Sequence, residues 1–191
     1  MAYVPGATNP GAKKVRRSKV LAKIAQGGQP KMCACGHFLP FFVHYAAESG
    51  YDCIWFDLEH RAMGEREVQA FIQLCYSFDI DCLVRTTTTE RGRLYRYFED
   101  GATGVMVPLL KNADEVTEIV EAVKFPPIGN RGMDGAGVDA GFGSFAWAPD
   151  ETYVEDINRE TFIIIQIERR EALHNLESIA AVPGTTQVRP A

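Results

Sequence analysis

Short apolar runs alternating with helix-length amphipathic stretches constrain this chain more than any other feature it has. The runs cover Met32 to Gly36, Asp52 to Asp57, Asp81 to Arg85, Gly104 to Leu109 and Thr161 to Gln166. The last is apolar from Phe162 to Ile165, which is the pattern of a strand buried on both faces of a parallel sheet. Between the runs, Glu65 to Phe78 places Val68, Phe71, Ile72, Cys75 and Phe78 at helical spacing. Asn112 stands three residues before Glu115, a capping-box arrangement, ahead of an inner stripe of Val116, Ile119, Val120 and Val123. Further helices are expected over Lys14 to Gln26, Phe41 to Ser49, Glu90 to Glu99 and Arg170 to Ala181. Strand and helix in strict alternation predict a parallel sheet covered by helices, either doubly wound or part of a (β/α)8 barrel.

The polar residues choose between the two. Asp57, His60, Arg85, Gln166 and Glu168 all lie at the ends of apolar runs or just beyond them. That end of the strands is where barrel enzymes place their chemistry. The fold expected is therefore α/β, a partial (β/α)8 TIM barrel with about five of its eight parallel strands in residues 14–184. Residues 1–13 read as a Pro/Gly-rich disordered lead-in. A glycine-rich stretch from Gly129 to Ala148 reads as a long mobile loop lining the site. Its glycines follow no strand and open no helix, so they are no dinucleotide fingerprint.

Charge and cysteine usage narrow the function classes. A formal charge of -5 and a pI near 5.4 argue against nucleic acid as the main partner. No apolar stretch approaches the roughly 20 residues of a membrane helix. The first acidic residue is Glu48, so the start of the chain is basic; a transit peptide and a solvated first helix both fit, the second better. Five cysteines without disulfide spacing indicate reduced thiols and a cytoplasmic protein, with Cys75 and Cys82 in the core. Cys33 and Cys35 could bind metal as a C-x-C pair, but packed thiols are the simpler reading.

Individual side chains suggest a chemistry. Glu168 ends an apolar strand and offers the oxygen ligand that a hard cation such as Mg²⁺ or Mn²⁺ prefers. Asp57 and His60 are three residues apart, close enough for the carboxylate to orient the imidazole and make it a general base. In the competing reading Asp57 caps the following turn and His60 is a surface histidine. Arg85 ends a buried strand and must meet an anion, whether a substrate oxygen or one of Glu59 and Glu168. His37 and His44 have no visible partners and His174 lies on an expected helix, so all three are read as non-catalytic.

Five short motifs in register carry a resemblance. They are Asp57-Leu58-Glu59-His60, Val84-Arg85, Gly101-Ala102-Thr103-Gly104-Val105-Met106-Val107-Pro108, Phe125-Pro126-Pro127-Ile128-Gly129-Asn130-Arg131-Gly132 and Gln166-Ile167-Glu168-Arg169-Arg170-Glu171-Ala172-Leu173. From about Val20 to Gly184 the chain resembles the HpcH/HpaI aldolase family. The resemblance implies a metal-dependent class II aldolase that cleaves or forms a carbon–carbon bond of a 2-oxo acid through a pyruvate enolate, with an aldehyde as second substrate. It implies Glu168 as a metal ligand, for Mg²⁺ or Mn²⁺ with Co²⁺ admissible. It also implies Arg85 on the keto or enolate oxygen, Asp57 and His60 in acid–base chemistry, and Gln166 beside the metal. Selectivity for the aldehyde would lie in the Gly129–Ala148 loop and in neighbouring subunits.

The family's Gly-Pro-x-Asp strand, which supplies a second metal carboxylate, has no counterpart in the residues from Val182 to Ala191. Residues 185–191 read as a tail foreign to the family. The expectation is a C-terminally truncated aldolase, weak or inactive unless another chain completes its site. Homo-oligomers, which the resemblance implies through a C-terminal helix, are expected only weakly. The alternative is a catalytically degenerate homologue serving as a binding or assembly module. A doubly wound nucleotide-binding protein would need a phosphate loop at Gly36-His37-Phe38-Leu39-Pro40, which lacks the glycines.

Overall fold

The computed structural model describes residues 15–147 and 152–185. The expected lead-in of residues 1–13, and the expected tail from Thr186 onward, lie outside the described residues. The elements in order are α1 (Lys19–Ala25), β1 (Met32–Cys35), α2 (Pro40–Glu48), β2 (Cys53–Asp57), α3 (Glu65–Ser77), β3 (Asp81–Arg85), α4 (Arg91–Glu99), β4 (Gly104–Val107), α5 (Ala113–Val123), α6 (Tyr153–Glu160), β5 (Phe162–Ile165), α7 (Arg170–His174) and α8 (Leu176–Ala180). No helix among the described residues is long and apolar enough to cross a membrane.

All five strands pair in parallel in the order β1-β2-β3-β4-β5. A doubly wound sheet reverses its strand order at a switch point, and no reversal occurs here. Sequential order with crossovers of one hand brings the covering helices to one face and leaves the other as a barrel interior. Side-chain alternation bears this out. Ile54, Phe56, Cys82 and Val84 pack with Val43, Phe71, Ile72 and Cys75 under α2 and α3, and the Phe56 and Phe71 rings stack at 4.0 Å. Val105, Val107 and Ile163 pack with the inner stripe of α5 and with Ile179 of α8.

The opposite face carries Cys53, Leu83 and Phe162 at its lower end, closed by Val20 and Leu21 of α1. The strand register places Trp55, Leu83, Gly104 and Phe162 in one row across the sheet and Asp57, Arg85, Met106 and Ile164 in the next. Gly104 is needed in its row, because a Cβ there would stand 2.4 Å from the Phe162 ring. Helix α1 is tied down by Asp81, which is fully buried at the start of β3. Its carboxylate accepts from Ser18 Oγ at 2.7 Å and the Val20 amide at 2.9 Å, and pairs with Arg16.

Two expectations require correction, and one helix lies beyond them. The described part of the Gly129–Ala148 stretch, residues 129–147, does not line the strand C-terminal ends. It folds against the other end of the sheet: the Val138 amide donates to Glu99 O at 2.7 Å and the Asn130 amide to Glu121 O at 3.0 Å. Arg131 is buried there, bonded to Asp139 at 2.7 Å, and Asp139 accepts from the Tyr153 hydroxyl at 3.0 Å. The helix α6 was not foreseen, because only Tyr153 and Ile157 mark its buried stripe. The single helix expected over Arg170 to Ala181 is two helices of five residues each, broken at Asn175, whose side chain donates to Lys111 O.

Candidate active site

Strands β2 and β3 deliver Asp57 and Arg85 as register partners on the interior face at the C-terminal ends. The guanidinium grips the carboxylate as a fork: Nε donates to Oδ1 at 2.9 Å and Nη2 to Oδ2 at 2.8 Å. Nη1 lies 3.2 Å from Glu59 Oε2, and the guanidinium carbon sits 4.9 Å from the centre of the Trp55 ring. Arg85 is thus held on three sides. Its hydrogen bonds to Asp57 push its pKa up despite partial burial, with the charges of Asp57, Glu59 and Glu168 adding to the effect. The Arg85 guanidinium, in turn, holds the Asp57 carboxyl below the usual carboxylate range.

This geometry corrects the expected Asp57–His60 pair. Both oxygens of Asp57 are engaged by Arg85, and Oδ1 also accepts the Glu59 amide at 3.0 Å, capping the turn. A two-pronged charged hydrogen bond is stronger than one to a neutral imidazole, so the fork takes the carboxylate. His60 lies beyond the strand with its side chain 64% exposed, and its Nε2 is 3.6 Å from Glu59 Oε2. The carboxylate beside the imidazole is Glu59. A signal for this was present: Trp55, Asp57 and Glu59 alternate with the strand period and share a side, whereas His60 breaks it.

Gln166 extends β5 by one residue, its amide donating to Val107 O at 3.0 Å. Its Oε1 is buried without a hydrogen-bond donor, and the Trp55 Nε1 donor is buried without an acceptor. Orphaned buried polar atoms are rare in proteins, and two along one strand-end face mark a place where polar ligand atoms are needed. Glu168 is exposed two residues further on, and its side chain forms no ion pair among the described residues.

An amide oxygen at Gln166 and a free carboxylate at Glu168 are oxygen donors of the kind a hard divalent cation takes. They make a partial ligand set. Among the described residues no three His, Cys, Asp or Glu side chains gather as metal ligands, at the strand ends or at Cys33 and Cys35. The Cys33 thiol is pushed up to about 11 by burial, as befits a packed thiol. His44 lies on α2 against Glu48, Tyr45 and Phe78, away from the strand ends.

Beside the site a recess of about 510 Å³ opens between the ends of β3, β4 and β5, lined by Thr87, Thr89, Leu109, Lys111, Glu118 and Arg169 among others. Leu109 sits there at φ 65, a left-handed conformation that costs a bulky residue and concentrates at functional sites.

Residues 36–189 match the HpcH/HpaI aldolase/citrate lyase family. The chain belongs to that family. It is 32% identical over 144 residues to a 2-keto-3-deoxy-L-rhamnonate aldolase of Klebsiella pneumoniae, an alignment covering 75% of this chain and 52% of the relative. Against a hydroxypyruvate/pyruvate aldolase of Sagittula stellata it is 32% identical, covering 74% and 54% of the two chains. Among solved structures, an HpcH/HpaI aldolase from Desulfitobacterium hafniense superposes with a TM-score of 0.77 at 29% identity, covering 86% of this chain and 62% of that one. The family member described here therefore spans about half the length of the curated relatives it matches. Its five-stranded parallel sheet is the corresponding part of a TIM-barrel-like fold.

Proposed function

We propose that this chain carries the enolate-stabilising part of a metal-dependent carbon–carbon lyase acting on 2-oxo acids, pyruvate among them. The observation that supports this most is the Arg85 fork. A guanidinium locked by Asp57, Glu59 and the Trp55 face keeps outer N–H groups of Nη1 and Nη2 free to donate. Such a pre-set donor stabilises an oxygen that gains charge as a keto group becomes an enolate, at no cost of reorganisation.

Glu168 and Gln166 Oε1 would hold the divalent cation, Mg²⁺ or Mn²⁺, and so bring the 2-oxo acid toward Arg85. When bound, the cation supplies Lewis-acid polarisation of the substrate carbonyl. Asp57 positions Arg85 rather than moving protons. His60, open to solvent beside Glu59, takes and returns the proton, with Glu59 orienting the ring. The aldehyde-bearing end of the substrate fits the recess between Thr87 and Arg169.

A second reading, a binding or assembly module without catalysis, draws on the partial ligand set of the described residues. Titration calorimetry separates the two. The lyase reading predicts pyruvate binding that requires Mn²⁺ and weakens by about tenfold or more in Glu168→Gln and Arg85→Gln. Pyruvate binding indifferent to Mn²⁺, or none, sinks it in favour of the module.

A further inference from the structure

On the helix-covered side of the sheet, a groove of about 650 Å³ runs between α3 and α4 up to the ends of β2 and β3. Its floor includes Leu58, Met63, Val68 and the Tyr97 ring, so its base is apolar. Its walls carry four arginines, Arg61, Arg66, Arg93 and Arg96, against two carboxylates, Glu65 and Asp100. The two carboxylates offset the four arginines only in part. Glu65 is taken by Arg93 at 2.8 Å, and Asp100 accepts from the Gln69 amide at 2.7 Å. Burial pushes the Asp100 carboxyl up, against the opposing pull of the Arg96 charge.

Arg66 and Arg96 form no ion pair among the described residues, and Arg61 donates only to His60 O, at 2.7 Å. The groove is thus cationic on a chain whose formal net charge is -5. Guanidinium groups crowded into one cleft repel, and an anion relieves that repulsion while an apolar floor takes an apolar body.

We propose that the α3–α4 groove is a binding site for an organic anion, with its carboxylate or phosphate head between Arg66 and Arg96 and its apolar body on Met63 and Tyr97. The site lies outside the barrel interior. Its occupant touches the Leu58–Met63 segment, which follows Asp57 and carries His60, so it bears directly on where the imidazole sits.

The test is an amide-resolved NMR titration of the ¹⁵N-labelled chain with phenyl phosphate, and in parallel with benzoate, inorganic phosphate and phenol. Saturable shifts at Met63, Arg66 and Tyr97 are expected with phenyl phosphate or benzoate. Affinity should fall by about tenfold or more in the Arg66→Gln/Arg96→Gln double variant and hold in Lys31→Gln, an exposed cation outside the groove. Both arginines of the double variant are exposed, so the fold survives their replacement. The proposal is overturned if neither aromatic anion gives saturable shifts there, if phenol or inorganic phosphate alone binds as tightly, or if the double variant binds like the parent chain.

Discussion

Arg85 and Asp57 govern the site through geometry that a single charge could not supply. The two side chains are 13% and 15% exposed, so the pair sits where breaking it leaves a poorly solvated charge. Replacing Asp57 by Asn removes one prong and the counter-charge and should cost about 2–3 kcal/mol. The pH dependence follows from the same contact. Asp57 is held below its unfolded value, near 3.9, so the unfolded chain binds the extra proton first. Its contribution is therefore complete above that unfolded value and is lost as pH falls through the depressed folded one. Urea midpoints measured from pH 7 down to pH 3 should fall along a shallower acid limb in Asp57→Asn than in the parent chain; equal slopes would place the acid sensitivity elsewhere. His60 and Glu59 belong to the same scale, where the sequence set His60 with Asp57 and the structure puts Glu59 Oε2 3.6 Å from its Nε2. Spacing of three residues indicated proximity, and only the in-register pairing of β2 with β3 reveals that Arg85 reaches Asp57 first.

At the scale of elements, strand β3 ran from Asp81 to Arg85 as expected, and the other four strands agreed within a residue or two at each end. Continuous apolar runs allow few alternatives, which is why they were legible. Helix α5 was equally readable: Asn112 Oδ1 accepts the Glu115 amide at 2.9 Å, although Glu115 returns its bond to the Lys111 amide instead of completing the box. What spacing could not convey was long-range ordering. Arg16 and Ser18 read as part of a solvated basic start, yet they meet Asp81 more than sixty residues away and seat α1 under the sheet. Arg131, inside a glycine-rich stretch that looked mobile, is buried against Asp139 and lies 4.6 Å from the centre of the Phe125 ring. The interior row is just as exacting. Gly104→Ala drives a methyl into the Phe162 ring and should cost about 1–3 kcal/mol, visible as a lowered Tm. An unchanged Tm would mean that Phe162 can leave its place in the row at no cost.

Across the whole molecule, β1 and β5 each pair on one side only among the described residues. Unpaired parallel edges are a liability for a sheet in isolation. The interior-face residues Trp55, Met106 and Ile164 remain half-buried, as an open arc of barrel would leave them. The strand-end chemistry is correspondingly uneven. Arg85 is braced by Asp57, Glu59 and Trp55, whereas the proposed cation rests on Glu168 and Gln166 alone. Exchange of the pyruvate methyl protons for deuterium reads enolate formation directly, with no aldehyde required. In D₂O with Mn²⁺, the chain should catalyse slow exchange that disappears on chelation and falls by about a hundredfold in Arg85→Gln. Exchange that proceeds equally without metal, survives loss of Arg85, or never rises above the uncatalysed rate would contradict the account.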